Sequence, residues 1–233
     1  MGLAGALLVA GGCQRAERAG GPPAAPSSST VATAPAVRHA DFGATRPSDA
    51  ARRIADGVLN RNDHHGRPWL IIDKPAAVAY VFDRTGRLIE DAPVLLGLAT
   101  GDHTVPGIGD KPLSAVKPEE RTTAAGRFEV EIGDNLRGED VLWIDYDSGL
   151  SLHRVLRRPE RERRLATPTP ADNRMSYGCI NVPRDFFERA IGPVFRPAGG
   201  VAYVLPDTRT LEEVFGPVAT ATALSSATAA PRP

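Results

Sequence analysis

The stretch WLIIDKPAAVAYVFDRTGRLIE, residues 69–90, decides the fold class. Trp69–Asp73, Ala77–Phe82 and Arg87–Glu90 are apolar or β-branched runs, separated by the turn signals Lys74-Pro75 and Arg84-Thr85-Gly86. Three consecutive short strands follow from this. Further out, Val94–Ala99, Arg127–Ile132, Val141–Tyr146, Leu150–Val155 and Val201–Leu205 have the same character, so about eight strands are expected between residues 67 and 207. The fold class is therefore mainly β, a sandwich-like arrangement with a few short helices. One helix should open at Ser48, a good N-cap, and end near Asn60, because Ala51, Ile54, Ala55, Val58 and Leu59 recur at helical spacing. Others are expected at Pro183–Ile191 and Leu211–Phe215.

Outside this core the composition changes. Residues 19–47 are rich in Ala, Pro, Ser, Thr and Gly and read as a disordered tether, and the Ala/Thr/Ser-rich tail from residue 218 should trail free. The segments are thus 1–18 (leader), 19–47 (tether), 48–66 (helix and connector), 67–207 (main domain) and 208–233 (short helix and disordered tail). In the leader, apolar residues 3–10 precede Gly11-Gly12-Cys13, which predicts export to the periplasm or cell envelope and makes Cys13 a candidate for lipidation and membrane tethering.

Lys and Arg number 28 against 28 Asp and Glu, which disfavours a nucleic-acid binder, and two cysteines exclude a disulfide framework. No apolar run approaches the roughly 20 residues of a membrane-spanning helix. The neutral total is uneven: residues 67–150 hold 9 basic and 15 acidic side chains, residues 151–209 hold 11 and 6.

The chemistry concentrates in Met175–Pro183, MSYGCINVP, where Cys179 stands just before a predicted helix. A thiolate needs a base or positive potential, and a helix N-terminus supplies some of the latter. Gly178 would let backbone approach a substrate closely. A single cysteine can equally be an inert small hydrophobe. Of the five histidines, His153 is the best-placed base: alternation puts Leu150 and Leu152 on one strand face and Ser151 and His153 on the other.

These residues resemble the catalytic domain of the L,D-transpeptidases, the YkuD-like cysteine enzymes that remodel peptidoglycan. That family's signature is a histidine followed by Ser/Thr-His-Gly-Cys, an apolar residue and Asn or Arg; here His153 is followed by Ser176-Tyr177-Gly178-Cys179-Ile180-Asn181. Residues 123–128 also resemble its Thr-Pro-x-Gly-x-Phe loop, with Ala in place of Pro. The resemblance covers about residues 67–206. Two departures stand out: Tyr177 replaces a histidine, and 22 residues lie between His153 and Ser176.

The resemblance implies acyl transfer through a Cys179 thioester with His153 as base, on peptidoglycan stem peptides. Oxyanion donors would be the backbone N–H groups of Gly178 and Cys179, joined by Tyr177; Ser176 and Asn181 would hold the turn, and the Arg154 carbonyl would orient the imidazole. Neither cofactor nor metal is required. The alternatives are an L,D-carboxypeptidase or cross-link-cleaving peptidase at the same site, or a non-catalytic, envelope-tethered glycan-binding domain. The extra segment Arg154–Arg164 carries six arginines and two glutamates. It is either a solvated loop with internal pairs or a lid in which Arg157 and Arg158 contact substrate carboxylates.

Overall fold

A computed structural model describes residues 36–220. The leader with Cys13, the tether before Ala36 and the tail after Thr220 lie outside the described residues. Helix α1 (Asp49–Arg61) starts where Ser48 Oγ accepts from the Ala51 amide at 3.0 Å, and it ends in left-handed Asn62, whose N–H closes the last turn. Ten strands follow: β1 (Trp69–Asp73), β2 (Val78–Phe82), β3 (Leu88–Pro93), β4 (Leu96–Gly97), β5 (Gly126–Asp134), β6 (Asp140–Asp145), β7 (Leu150–Arg154), β8 (Arg174–Ser176), β9 (Ile180–Val182) and β10 (Gly200–Val204). Helix α2 (Pro159–Ala166) lies between β7 and β8, and a helical segment, α3 (Arg184–Phe186), a wide turn at Phe187–Ile191 and α4 (Gly192–Phe195), precedes β10. Helices α5 (Leu211–Phe215) and α6 (Pro217–Thr220) complete the described chain.

Eight strands form one sheet in the order β3-β2-β1-β10-β5-β6-β7-β9, with β1/β10 and β7/β9 parallel; β4 and β8 pair separately, also parallel. Strand β5 makes the sheet double over. Its first part, Gly126–Val130, pairs with β10, whereas Glu131–Asp134 pairs with β6. The two halves therefore face each other across one apolar interior. Leu70, Ile72, Val81, Ala202 and Val204 from one half meet Leu142, Leu152, Ile180 and Val182 from the other, with Phe186, Phe187 and Phe195 filling in. On the outer face of the first half, Ile54, Val58 and Leu59 of α1 cover Trp69, Ile71, Tyr203 and Phe82. Trp69 and Phe82 stack at 4.0 Å there. Each such buried side chain stabilises the fold by about 1.5–3 kcal/mol.

Several expectations need correction. The tether does not extend to residue 47: Asp41 bridges to Arg87, and Phe42, 4% exposed, packs edge-on against Tyr80 and Phe82. One large aromatic is enough to dock a segment otherwise poor in apolar residues. The tail does not trail free from residue 218 either, because Val218 and Ala219 are buried against α1. Gly57 permits this, since a Cβ there would stand 1.9 Å from the Val218 carbonyl oxygen. The strand expected at Val94–Ala99 shrinks to Leu96–Gly97. The Val94, Leu95 and Leu96 amides donate to three separate partners, the carbonyls of Ala77, Asn181 and Asn173, so no regular ladder forms. Pro183 caps the helical segment instead of opening it.

Candidate active site

Strands β7 and β9 run parallel in a register that sets His153 opposite Asn181 and Leu152 opposite Ile180. Cys179, one residue before β9, thereby falls beside Ser151 and His153. The Ser151 hydroxyl lies 3.7 Å from Cys179 Sγ, and the thiol lies 3.4 Å from the Gly149 carbonyl. Inward-facing Leu150 and Leu152 anchor β7 in the core, which turns Ser151 and His153 to the other face. His153 Nδ1 sits 2.9 Å from the Arg154 carbonyl. A carbonyl only accepts, so Nδ1 carries the proton and Nε2 is the free basic end.

Cys179 and His153 shift each other's pKa in opposite directions. For Cys179, burial works against the thiolate, but the hydrogen bond and charge of His153, helped by Ser151, outweigh it and lower the thiol pKa. For His153, burial works against the imidazolium, and the contact with Cys179 and the Arg154 carbonyl outweighs it, raising the pKa; Arg161 opposes. The two opposite shifts belong to one coupled pair, in which each group favours the charged form of the other.

The turn carrying Cys179 is fixed from several sides. Ser176 Oγ donates to the Cys179 carbonyl at 2.6 Å and accepts from the Gly178 amide at 3.1 Å. Asn181 Nδ2 donates to the same carbonyl at 3.2 Å and lies 3.4 Å from His153 Nε2. Gly178 has φ +134°, and a Cβ on it would meet the Thr122 carbonyl oxygen at 2.9 Å, so only glycine fits. Thr123, fully buried, donates its hydroxyl to the Gly178 carbonyl at 2.7 Å and accepts from the Gly97 amide at 2.9 Å. Beneath it, Lys74 Nζ holds the Thr123 carbonyl at 2.7 Å, the Gly101 carbonyl at 2.7 Å and Asp102 Oδ1 at 2.8 Å. Asp102 also accepts from the amides of Asp207, Thr208 and Arg209, and these bonds with Lys74 overcome burial to depress its pKa.

Three sequence expectations change. Cys179 does not sit at a helix N-terminus, since β9 intervenes and the first helical residue is Arg184; its thiol pKa is lowered chiefly by His153 instead. The Gly178 N–H is already used by Ser176, whereas the amides of Tyr177 and Cys179 donate to no group among the described residues. These two N–H groups are the ones left unpaired in the turn. The arginine segment is not one loop: Arg154 ends β7, Arg157 and Arg158 are exposed in a short connector, and the residues from Pro159 onward form helix α2. Arg161, which the sequence offers only as one of several arginines interleaved with Glu160 and Glu162, donates to Asn181 Oδ1 at 2.6 Å. The side chain of Arg154 turns away to Asp140 and Glu188. Tyr177 is exposed, its ring 4.0 Å beneath the Arg121 guanidinium. A narrow cleft lined by Thr104, Ile108, Thr122, Gly149 and Tyr177 opens on Cys179. No group of three metal-ligating side chains occurs among the described residues.

No family model and no curated protein matches the sequence. Among solved structures, the chain is similar to the Ldtfm–avibactam carbamoyl enzyme (16% identity, 59% of this chain and 48% of that one, TM-score 0.37). It is similar also to the catalytic domain of the E. faecium L,D-transpeptidase (15%, 60% and 98%, 0.34). A third is the helical cell shape determining protein Pgp2 from Campylobacter jejuni (15%, 69% and 56%, 0.39). The match spans about half the length of the first and the third of these chains. Likenesses of this size carry no functional assignment, which rests on the side chains around Cys179.

Proposed function

We propose that the chain is a peptidoglycan L,D-transpeptidase that works through a Cys179 thioester. The observation that supports this most directly is the pairing of Cys179 with His153, whose Nδ1 is fixed 2.9 Å from the Arg154 carbonyl. The Cys179 thiolate attacks the carbonyl joining the third stem-peptide residue to a terminal D-alanine. The oxyanion is met by the Tyr177 and Cys179 amides. As the C–N bond breaks, His153 Nε2 gives its proton to the departing D-alanine amine. An amine from a second stem then attacks the thioester carbon and His153 takes its proton. The C–S bond breaks, leaving a 3→3 cross-link. Water in place of the amine gives the carboxypeptidase outcome.

The test is mass spectrometry of the native protein with a carbapenem, then product analysis on purified muropeptides. The expected result is an adduct on Cys179 and cross-linked product, both lost in Cys179→Ala; muropeptide product without cross-links assigns the hydrolytic reading. No adduct and no product overturns the enzyme reading. The stem-peptide substrate implies export to the envelope, with Cys13 as a candidate lipid anchor. An unmodified Met1 terminus on protein from the native host would reject both.

A further inference from the structure

The arginines of the 154–164 segment are not equivalent. Arg154 pairs with Asp140 and Glu188, and Arg164 pairs with Glu160. Arg161, partly exposed, has no carboxylate partner among the described residues. Its one side-chain hydrogen bond among the described residues, from Nη1 to Asn181 Oδ1 at 2.6 Å, leaves the other guanidinium donors unused there. Asn181 is in turn 3.4 Å from His153 Nε2 and 1% exposed. A rigid amide therefore holds an unneutralised cation one side chain away from the atom that moves the proton.

Chemistry says what such a cation can meet. In acyl transfer at Cys179, the group that leaves or enters at His153 Nε2 is an amine. In a stem peptide that amine belongs to an α-amino acid head, whether the departing D-alanine or the D-centre of a diamino acid, and its carboxylate sits two bonds from the nitrogen. A guanidinium held beside the imidazole is placed to take that carboxylate in a charge-assisted, forked hydrogen bond.

We propose that Arg161, held by Asn181, is a carboxylate subsite that selects α-amino carboxylates as the amine partner of the Cys179 acyl-enzyme. This deepens the transpeptidase reading and rests on it. In the step concerned, the amine nitrogen attacks the thioester carbon, His153 Nε2 takes the amine proton, and the C–S bond breaks to release the Cys179 thiolate. Arg161 touches only the carboxylate.

The experiment loads Cys179 with a stem tetrapeptide donor and lets isotopically labelled D-alanine, whose product differs in mass from the donor, compete with D-alaninamide, which has an α-amine on the same carbon skeleton and no carboxylate. The ratio of the two aminolysis products is read within each variant, so losses in folding or acylation cancel. The full-length protein is expected to prefer D-alanine by 10-fold or more. Arg161→Gln should bring the ratio near one, Arg161→Lys should restore part of it, and Arg163→Gln, an exposed neighbour on α2, should leave it as it was. An acyl-enzyme that forms while Arg161→Gln keeps the full preference overturns the subsite alone. Failure of any donor to acylate Cys179 overturns the subsite together with the reading it rests on.

Discussion

Two cations flank the cysteine turn, and they are used in opposite ways. Lys74 has no exposed side-chain surface and spends its three donors on the Gly101 and Thr123 carbonyls and Asp102, with Asp207 a further 3.2 Å contact. Arg161 is partly open to solvent and has one bond. A buried cation with every donor filled is part of the scaffold, because removing it strands its counter-charges in a dry interior. A cation with spare donors at the edge of a site is available to a ligand. Proximity to Cys179 alone does not separate the two roles; the state of their donors does.

The contrast breaks first at Lys74. Lys74→Met should leave Asp102 and Asp207 without their shared ammonium and cost about 3–5 kcal/mol, read as a lowered urea midpoint, whereas Arg161→Gln should stay within about 0.5 kcal/mol of the parent. Equal losses would erase the distinction. Next comes Thr123→Val, which removes the hydroxyl linking the Lys74 network to Gly178 and leaves the Gly97 amide unpaired. A loss of about 1–3 kcal/mol is expected, along with slower alkylation of Cys179 by iodoacetamide as the turn loosens.

The Cys179–His153 pair gives a third test. A lowered Cys179 pKa means that thiolate persists as pH falls below the ordinary thiol value of about 8.5 and is lost only as pH passes through the lowered value. The alkylation rate should therefore keep its plateau to lower pH than a free thiol does. In His153→Ala the midpoint should move up, since the main group opposing burial is gone and only the Ser151 contacts still favour the thiolate. The smallest effect belongs to Arg157→Glu with Arg158→Glu: both residues are exposed and outside the turn's hydrogen-bond network, so muropeptide turnover should be unchanged. A large fall would return the arginine segment to the role of a substrate lid.

Much of this was legible because it was written in runs long enough to show a period. The hairpin strands of residues 69–90 and the helix capped by Ser48 announce themselves by alternation and helical spacing, and Ser151 and His153 share a face for the same reason. The three-residue strands β8 and β9 are too short to carry any period. The cysteine turn they bracket therefore reads as the prelude to a helix, when Cys179 in fact lies between two strands. Lys74 looks like half of a Lys-Pro turn, and Asp102 like a polar residue in a Gly/Pro-rich loop; only the fold brings them together, 28 residues apart in sequence. Helix α2 was signalled by Pro159 at its first position, acids in its first turn and Arg163 and Arg164 in its last, a dipole-matched pattern masked by overall charge. That Arg161, and not Arg157 or Arg158, reaches Asn181 depends on the helix's rotation, which composition does not specify.

The place of β10 in the sheet bears on how the chain folds. Its residues, 200–204, come near the end of the described sequence, yet it occupies an inner position, parallel to β1 and antiparallel to β5. Until those five residues arrive, β1 and β5 each present an unpaired edge, and the halves that carry His153 and the opening hairpin have no strand in common. Closure must wait for contacts spanning more than 130 positions, from Trp69 to Val201, so folding should be slow and nearly all-or-none. A chain cut short before Gly200 would lose the seam of the sheet, leaving two open edges prone to aggregation rather than a smaller copy of the fold.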